Sequence, residues 1–335
     1  MAGQRFEVLG LGNAIVDAIA QAEDDFLAHE GLNKGGMALI DESRASSLYA
    51  RMGAATIMSG GSAANTIVGL ASFGVQAAFI GKVKDDEAGR AFAHDIRASG
   101  VHFDTPFAAD GPSTARCLVL VTPDGERTMN TYLGACQNLG PADVDAELVR
   151  RSSILYLEGY LWDPPAAKEA FVKAAGIAHA SGNRVALTLS DSFCVDRYRD
   201  EFLDLMRTRT VDIVFANQHE LKALYQTADF DTALAAFRND TVLGVVTRSE
   251  LGSMVVTRDE THSVPASPIE KLVDTTGAGD LFAAGFLAGL ARDCDLKDCA
   301  RLGGLAAAEV IQHYGARPQV RLADLASESG LALSR

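Results

Sequence analysis

The sequence predicts an α/β protein in which a mainly parallel central sheet is sandwiched by helices. Three observations lead there. From Ile154 onward, short apolar runs alternate with longer helical stretches. Two stretches, residues 13–45 and the segment around Pro123-Asp124-Gly125, break that rhythm. The 335 residues are 48% hydrophobic and 22% charged, a folding composition rather than a disordered one. Regular β/α alternation builds a sheet whose neighbouring strands run parallel and whose two faces are both covered.

The elements follow in order. Phe6 to Leu11 reads as a buried strand, 62–73 as a helix and 76–80 as a strand. Residues 85–99 read as a helix with acidic groups in the first turn and Gly100 as its C-cap. The extended runs 116–121 and 127–132 flank Pro123-Asp124-Gly125, which predicts a hairpin. Beyond it, 154–157, 185–189, 211–215 and 242–247 read as strands. Residues 164–181, 195–207 and 219–225 read as helices between them. Residues 13–45 and the hairpin are excursions from this pattern. They predict one small lid built from two separate segments, 13–45 and 105–136, on a core of 1–12, 46–104 and 137–335.

Charge and cysteine usage exclude several function classes. Lys+Arg is 30 and Asp+Glu is 44, a net charge of −14. Gripping duplex phosphates needs clustered cations, so no nucleic-acid partner is expected. One small anion is still within reach, because backbone N–H groups bind anions without net charge. Cys117, Cys136, Cys194, Cys294 and Cys299 are odd in number, and none has CxxC spacing. Neither a disulfide framework nor a structural zinc site is predicted, which suits a reducing cytoplasm. Asn13 and Asp17 interrupt the first apolar run, so no signal peptide is expected. The longest helical apolar run, Leu281 to Ala291, is about half the ~20 residues of a membrane span.

Several short motifs are candidates for chemistry. Gly10-Leu11-Gly12-Asn13-Ala14-Ile15 follows a strand but has Ile15 where a dinucleotide fingerprint needs its third glycine. A nicotinamide oxidoreductase is therefore poorly supported. Asp17 is a carboxylate inside an apolar run. It is either the solvent side of a half-buried strand or an acceptor for hydroxyl groups. Gly60-Gly61-Ser62-Ala63-Ala64-Asn65-Thr66 is a glycine pair opening a helix, with Asn65 one turn in. It is not a nucleophile elbow, since Ala63 stands where glycine is required, and Gly81-Lys82 lacks the rest of a Walker A loop.

The most specific stretch is Asp274-Thr275-Thr276-Gly277-Ala278-Gly279-Asp280. Small residues at a helix start let successive N–H groups converge on an oxyanion. Asp280 in the first turn either complements the helix dipole or takes a proton from a hydroxyl nucleophile. Asn217 and Glu220, three apart, form a capping box or support Mg²⁺ through its waters. Arg127, just past the hairpin turn, is either a solvated side chain or a fork for phosphate. None of the seven histidines forms a recognisable ligand pair.

Taken together, GGSAANT at 60–66 and DTTGAGDLFAAGF at 274–286 resemble the two signatures of the PfkB-type carbohydrate kinases, in the same order and separation. Asn217-x-x-Glu220 between them resembles the family's NxxE motif. The resemblance implies a ribokinase-like fold with a small β-rich lid, and phosphorylation of an alcohol by ATP with Mg²⁺. It implies Asp280 as catalytic base and Gly277, Ala278 and Gly279 as an anion hole. It places Asn13, Asp17, Gly60, Gly61, Ser62 and Asn65 around the sugar. Asn217, Thr247 and Gly252 fall by the nucleotide, Glu220 by water-bound Mg²⁺, and Asp274 and Thr276 by a monovalent cation, K⁺.

Within the family, Gly-Leu-Gly-Asn-Ala-Ile-Val-Asp at 10–17 and the Ser and Asn-Thr of GGSAANT resemble the adenosine kinase branch. Asp124-Gly125-Glu126-Arg127-Thr128 resembles the lid segment whose arginine approaches phosphate. That branch implies phosphorylation of the 5′-hydroxyl of adenosine, giving AMP and ADP, by a cytoplasmic monomer or homodimer. A ribokinase- or fructokinase-like sugar kinase and an inosine–guanosine kinase are the alternatives. Tyr160, Leu161 and Trp162 fall where a base would stack, and sequence does not choose among them. A catalytically silent sensor on the same fold is opposed by retention of Asp280.

Overall fold

Leu9 and Val8 point to opposite sides of one strand, and both are buried. β1 (Phe6–Leu11) is apolar throughout because helices cover both faces of the sheet it centres. This computed structural model describes residues 5–331 and 333; residues 1–4, 332, 334 and 335, which the expected core includes, lie outside them.

The chain continues through β2 (Ile15–Gln21), α1 (Asp24–Glu30), β3 (Met37–Leu39), α2 (Glu42–Tyr49), β4 (Thr56–Gly60), α3 (Ser62–Ser72), β5 (Ala77–Ile80) and α4 (Glu87–Ala98). The hairpin β6 (Ala115–Val121) and β7 (Arg127–Tyr132) precedes α5 (Ala146–Arg150), β8 (Ser152–Glu158), α6 (Pro165–Ala180), β9 (Arg184–Thr188) and α7 (Ser192–Arg207). Then come β10 (Ile213–Asn217), α8 (Gln218–Leu224), α9 (Phe230–Asp240), β11 (Leu243–Thr247), β12 (Ser253–Thr257) and β13 (Thr261–Val264). Three helices follow, α10 (Ala278–Ala291), α11 (Leu296–Val310) and α12 (Leu322–Glu328).

The central sheet has the order β13-β12-β11-β10-β9-β8-β1-β5. From β5 to β11 neighbours run parallel, and β12 and β13 close one edge antiparallel. The mainly parallel, helix-sandwiched sheet is thus as expected. The antiparallel edge lacked a turn signal, because no glycine marks the connection through Arg258-Asp259. Alternation along each strand feeds two cores. Val8, Tyr156 and Phe215 pack with α3, α10 and α11 on one side. Leu9, Leu157 and Val214 pack with α6, α7 and α9 on the other. α10 is apolar all round because it is buried all round, with Leu281 to Leu290 enclosed. No helix among the described residues is long and apolar enough to cross a membrane.

A second sheet has the order β3-β7-β6-β2-β4. It draws on two chain segments, but the expected boundary at residue 45 is corrected. β4, which lies in the expected core segment, is an edge strand of this second sheet, paired antiparallel with β2. Five residues without clear alternation carry no signal for which sheet they join. The partner strand across the ladder makes that choice. In the other segment, Ala108 bridges to Lys84 of the core side, so this sheet takes only 115–132 of the expected 105–136.

Candidate active site

The site lies where the C-terminal ends of β8, β10 and β11 meet one face of the second sheet, the usual position for ligands in open α/β folds. Strand alternation builds the face. Asp17 opposes Cys117, and Cys117 opposes Thr131. Ile15, Val119 and Met129 stand two residues along from these, Arg127 four along from Thr131, and all line the same cavity of about 380 Å³.

Asp17 is pushed up to about 6, chiefly by burial, against the charges of Arg317 and Arg127 and with the help of Asp280. The area it leaves open faces the cavity. Gly60 makes this approach feasible, because a Cβ there would lie 2.3 Å from Asp17 Oδ2. Gly61 has φ +101, and a Cβ on it would meet the Asn13 carbonyl at 2.3 Å. Only glycine suits both constraints.

That turn starts α3 and aims two side chains at Asp280. Ser62 Oγ donates to Asp280 Oδ1 at 2.6 Å, and Asn65 Nδ2 donates to Asp280 Oδ2 at 3.0 Å. Asn65 Oδ1 is buried and without a hydrogen-bond partner among the described residues. Burial raises Asp280, while Ser62, Asn65 and the charge of Arg317 act to lower it. Asp280 sits in the first turn of α10, whose N-cap Gly277 has φ +78 with Ala316 packed behind it. A Cβ on Gly279 would meet no protein atom within 4 Å, so this glycine is not demanded by packing.

Asn217 and Glu220 realise the capping box. Asn217 Oδ1 accepts from the Glu220 N–H at 2.9 Å, and Glu220 Oε2 accepts from the Asn217 N–H at 2.9 Å. Both also line the cavity, so the capping box stands at its edge. Burial pushes Glu220 up to about 7, opposed by the hydrogen bonds from Asn217. Arg127 is not a solvated side chain. It is 9% exposed, pairs through Nη1 with Asp274 Oδ2, and has a buried Nε without a partner among the described residues.

Asp274 itself accepts from Thr276 N–H and Gly315 N–H, each at 3.0 Å. Burial acts to raise it, but those hydrogen bonds and Arg127 outweigh burial and hold it below the usual carboxylate range.

A second cavity of about 570 Å³ adjoins the first. The two share Thr247, Thr275, Ala278, Gly279 and Phe282, and the second is lined further by Gly252, Pro265, Ile269 and Leu272. Of the expected site residues, Asp17, Gly61, Ser62, Asn65, Arg127, Asn217, Glu220, Thr247, Thr276, Gly277, Ala278, Gly279 and Asp280 line the first cavity, and Gly252 lines the second. Three do not line either. Gly60 lies behind Asp17, Asp274 lies behind Arg127, and Asn13 turns its side chain away. Asn13 Nδ2 donates to Glu158 Oε1 at 2.6 Å, so a carboxyl at the end of β8 holds its amide nitrogen.

Glu158 and Arg317 were not singled out from the sequence. Glu158 is 1% exposed and accepts from Asn13 N–H, Asn13 Nδ2 and Ala63 N–H. Its signal was a charged residue ending the apolar run Ile154–Leu157. Arg317 carried none. Of the three expected stacking candidates, Leu161 and Trp162 are buried in the core and only Tyr160 lines the cavity.

Residues 37–321 match the pfkB family carbohydrate kinases. An adenosine kinase structure from Sinorhizobium meliloti is 56% identical, with a TM-score of 0.91, covering 97% of this chain and all of that one. A structure described as a probable sugar kinase protein from Rhizobium etli CFN 42 is 53% identical, with a TM-score of 0.92, covering 98% and 100%. Adenosine kinase of Saccharomyces cerevisiae is 27% identical over 327 residues, 91% of this chain and 94% of its own.

Proposed function

The chain belongs to the pfkB family of carbohydrate kinases, and we propose that the alcohol it phosphorylates is the 5′-hydroxyl of adenosine. The family assignment makes it an ATP-dependent phosphotransferase with a hydroxyl acceptor. One observation favours a nucleoside over a free sugar. The first cavity is lined by polar side chains, Asp17, Asn65 and Asp280 among them, and also by Ile15, Val119, Met129, Tyr160, Phe215 and Phe282. A ribose satisfies the polar groups. An attached purine covers apolar side chains that a free sugar leaves wet. Tyr160, which lines the cavity where Leu161 and Trp162 do not, is the candidate to stack on that base. The 56% identity to the Sinorhizobium meliloti adenosine kinase supports the same reading.

The residues divide the chemistry. Asp17 accepts from ribose hydroxyls, and Asn65 Oδ1 accepts from another donor of the acceptor. Asp280 takes the proton of the attacking hydroxyl. The N–H groups at the start of α10 hold the transferring phosphoryl oxygens, with Arg127 Nε as a further donor from the second sheet. The second cavity takes the nucleotide beside Thr247 and Gly252. Phosphoryl transfer is mostly positioning and charge stabilisation, so this division leaves little covalent work for the protein.

Among the described residues no three His, Cys, Asp or Glu side chains converge as a metal cage. Mg²⁺ carried on ATP phosphates keeps several waters and needs none, and Asn217 and Glu220, which line the cavity, would accept from those waters. When bound, Mg²⁺ neutralises phosphate charge. The expected K⁺ site fits poorly. Asp274 gives its oxygens to Thr276, Gly315 and Arg127, so no step runs through a monovalent cation.

A coupled ADP-release assay over adenosine, inosine, guanosine, ribose and fructose tests the proposal. Adenosine should show by far the highest kcat/KM, because the purine adds transition-state binding that a sugar lacks. The 53% identity to a probable sugar kinase makes ribose and fructose the informative competitors. Preference for either sugar replaces the adenosine reading, and preference for inosine or guanosine moves it to another nucleoside.

A further inference from the structure

Arg317 is a partly buried guanidinium with no direct ion pair among the described residues. It spends its fork on main chain. Nη2 donates to the Ser59 carbonyl at 2.7 Å and to Ser59 Oγ at 2.9 Å, and Nη1 donates to the Ala64 carbonyl at 3.0 Å. Ser59 is the penultimate residue of β4 and Ala64 lies in the first turn of α3. Between them stands the Gly60-Gly61-Ser62-Ala63 turn. The clamp therefore closes over both shoulders of the turn that makes room for Asp17 and aims Ser62 at Asp280. On the far side Asp95 of α4 accepts from both Ser59 N–H and Ser59 Oγ, which fixes the same shoulder from outside.

We propose that Arg317 is a positioning residue for the phosphoryl acceptor, clamping the Gly60–Ala63 turn on which Asp17 and Asp280 both rest and setting a cation behind it. Two half-enclosed carboxylates on one cavity repel each other, and each is worth more to the reaction when charged. The charged groups acting on the pair are few. Arg317 and Arg127 act on Asp17, Arg317 acts on Asp280, Asp95 faces Arg317, and Glu158 lies within electrostatic reach of Asp280. Arg127 is already paired with Asp274, so Arg317 is the cation left to serve both carboxylates. A guanidinium meets the carbonyls on β4 and α3 with separate nitrogens in one rigid plane, a geometry the single nitrogen of lysine does not reproduce. Two glycines make the turn soft, which is why it needs bracing from outside.

This inference rests on the kinase reading but not on which acceptor is used. The experiment compares wild type with Arg317→Met and Arg317→Lys, on whichever acceptor the wild type turns over. KM for acceptor, KM for ATP, the pH dependence of kcat/KM and the calorimetric Kd for acceptor are measured. The Met variant should raise acceptor KM and Kd at least about tenfold, with ATP KM within about threefold, and move the acid limb of kcat/KM to higher pH. The Lys variant should keep the limb near its wild-type position, since charge remains, and still weaken acceptor binding. A merely structural role lowers the active fraction, hence kcat, without splitting the two KM values or moving the limb. An unmoved limb with equal changes in both KM values overturns the proposal. If the Met variant does not fold, the Lys variant decides, because unchanged acceptor Kd there overturns the clamp. A wrong acceptor assignment shows in the wild type alone.

Discussion

Arg127 and Asp274 form a buried ion pair between the first residue of β7 and the loop leading into α10, 147 positions apart in the chain. It ties the second sheet to the glycine-rich helix start. A buried pair contributes little net stability, but losing one partner leaves an uncompensated charge. Asp274 also holds Thr276 and Gly315, so through one carboxylate Arg127 is coupled both to the loop before α10 and to the segment after α11. Arg127→Ala should lower kcat more than it raises either KM. The arginine-finger range of ~10³–10⁵ is an upper bound, because the helix N–H groups remain. Arg127→Lys should recover part of the loss, since the ammonium keeps charge without the fork. Steady-state constants for the Ala variant equal to wild type would remove Arg127 from the chemistry.

Asp280→Asn keeps size and removes basicity. The Ser62 hydroxyl can still donate to the amide oxygen, so folding should survive. The kcat should fall by roughly 10²–10⁴, with acceptor Kd changed little. A rate within threefold of wild type would sink the assignment of Asp280 as base.

Asp17 should make the enzyme discriminate against missing ribose hydroxyls. A desolvated carboxylate that loses a hydrogen-bond donor is penalised by about 1–3 kcal/mol. The 2′- and 3′-deoxy analogues of adenosine should therefore bind more weakly than adenosine itself. Asp17→Ala should level the three. Calorimetry showing equal affinity of the wild type for adenosine and its 3′-deoxy analogue would exclude Asp17 from ribose recognition.

Four carboxylates raised by desolvation, Asp17, Glu158, Glu220 and Asp280, set a pH dependence of stability. Burial pushes Asp17 up to about 6, and Glu158 and Glu220 up to about 7. Their folded pKa values exceed the unfolded ones, so the folded chain binds more protons in the interval between. Their contribution to stability is complete below the unfolded values and is lost as pH rises through the folded ones. Carboxylates held low, such as Asp86 and Asp274, act in the opposite sense only in more acid solution. The Tm of the ligand-free protein should thus decline between about pH 5 and pH 7.5. Glu158→Gln should make that decline shallower. A wild-type Tm that climbs across the interval contradicts the assignment.

The β/α order was legible in sequence because it is local. A helix or strand declares itself through periodicity within about a dozen residues, and runs such as Ile154–Leu157 and Leu281–Ala291 did so. The capping box of Asn217 and Glu220 was legible for the same reason, since three residues along a helix start decide it. The glycines at 60, 61 and 277 announced turns, and their constraints are backbone ones that travel with the residue type.

What tertiary structure decided is which distant groups meet. Asn13 reads as a sugar contact, and the fold gives its amide nitrogen a buried partner, the carboxyl of Glu158, 145 residues away. Arg127 read as either free or phosphate-bound, and Asp274 gives it a resting partner. β4 joined the second sheet rather than the core because β2 offered it a ladder. Arg317 left no trace in its own neighbourhood, since both carbonyls it clamps lie more than 250 residues upstream. Residue type and short spacing determine backbone conformation within a turn or two. Desolvation and charge compensation are properties of the packed interior, where the partner of each buried polar group is chosen by the fold.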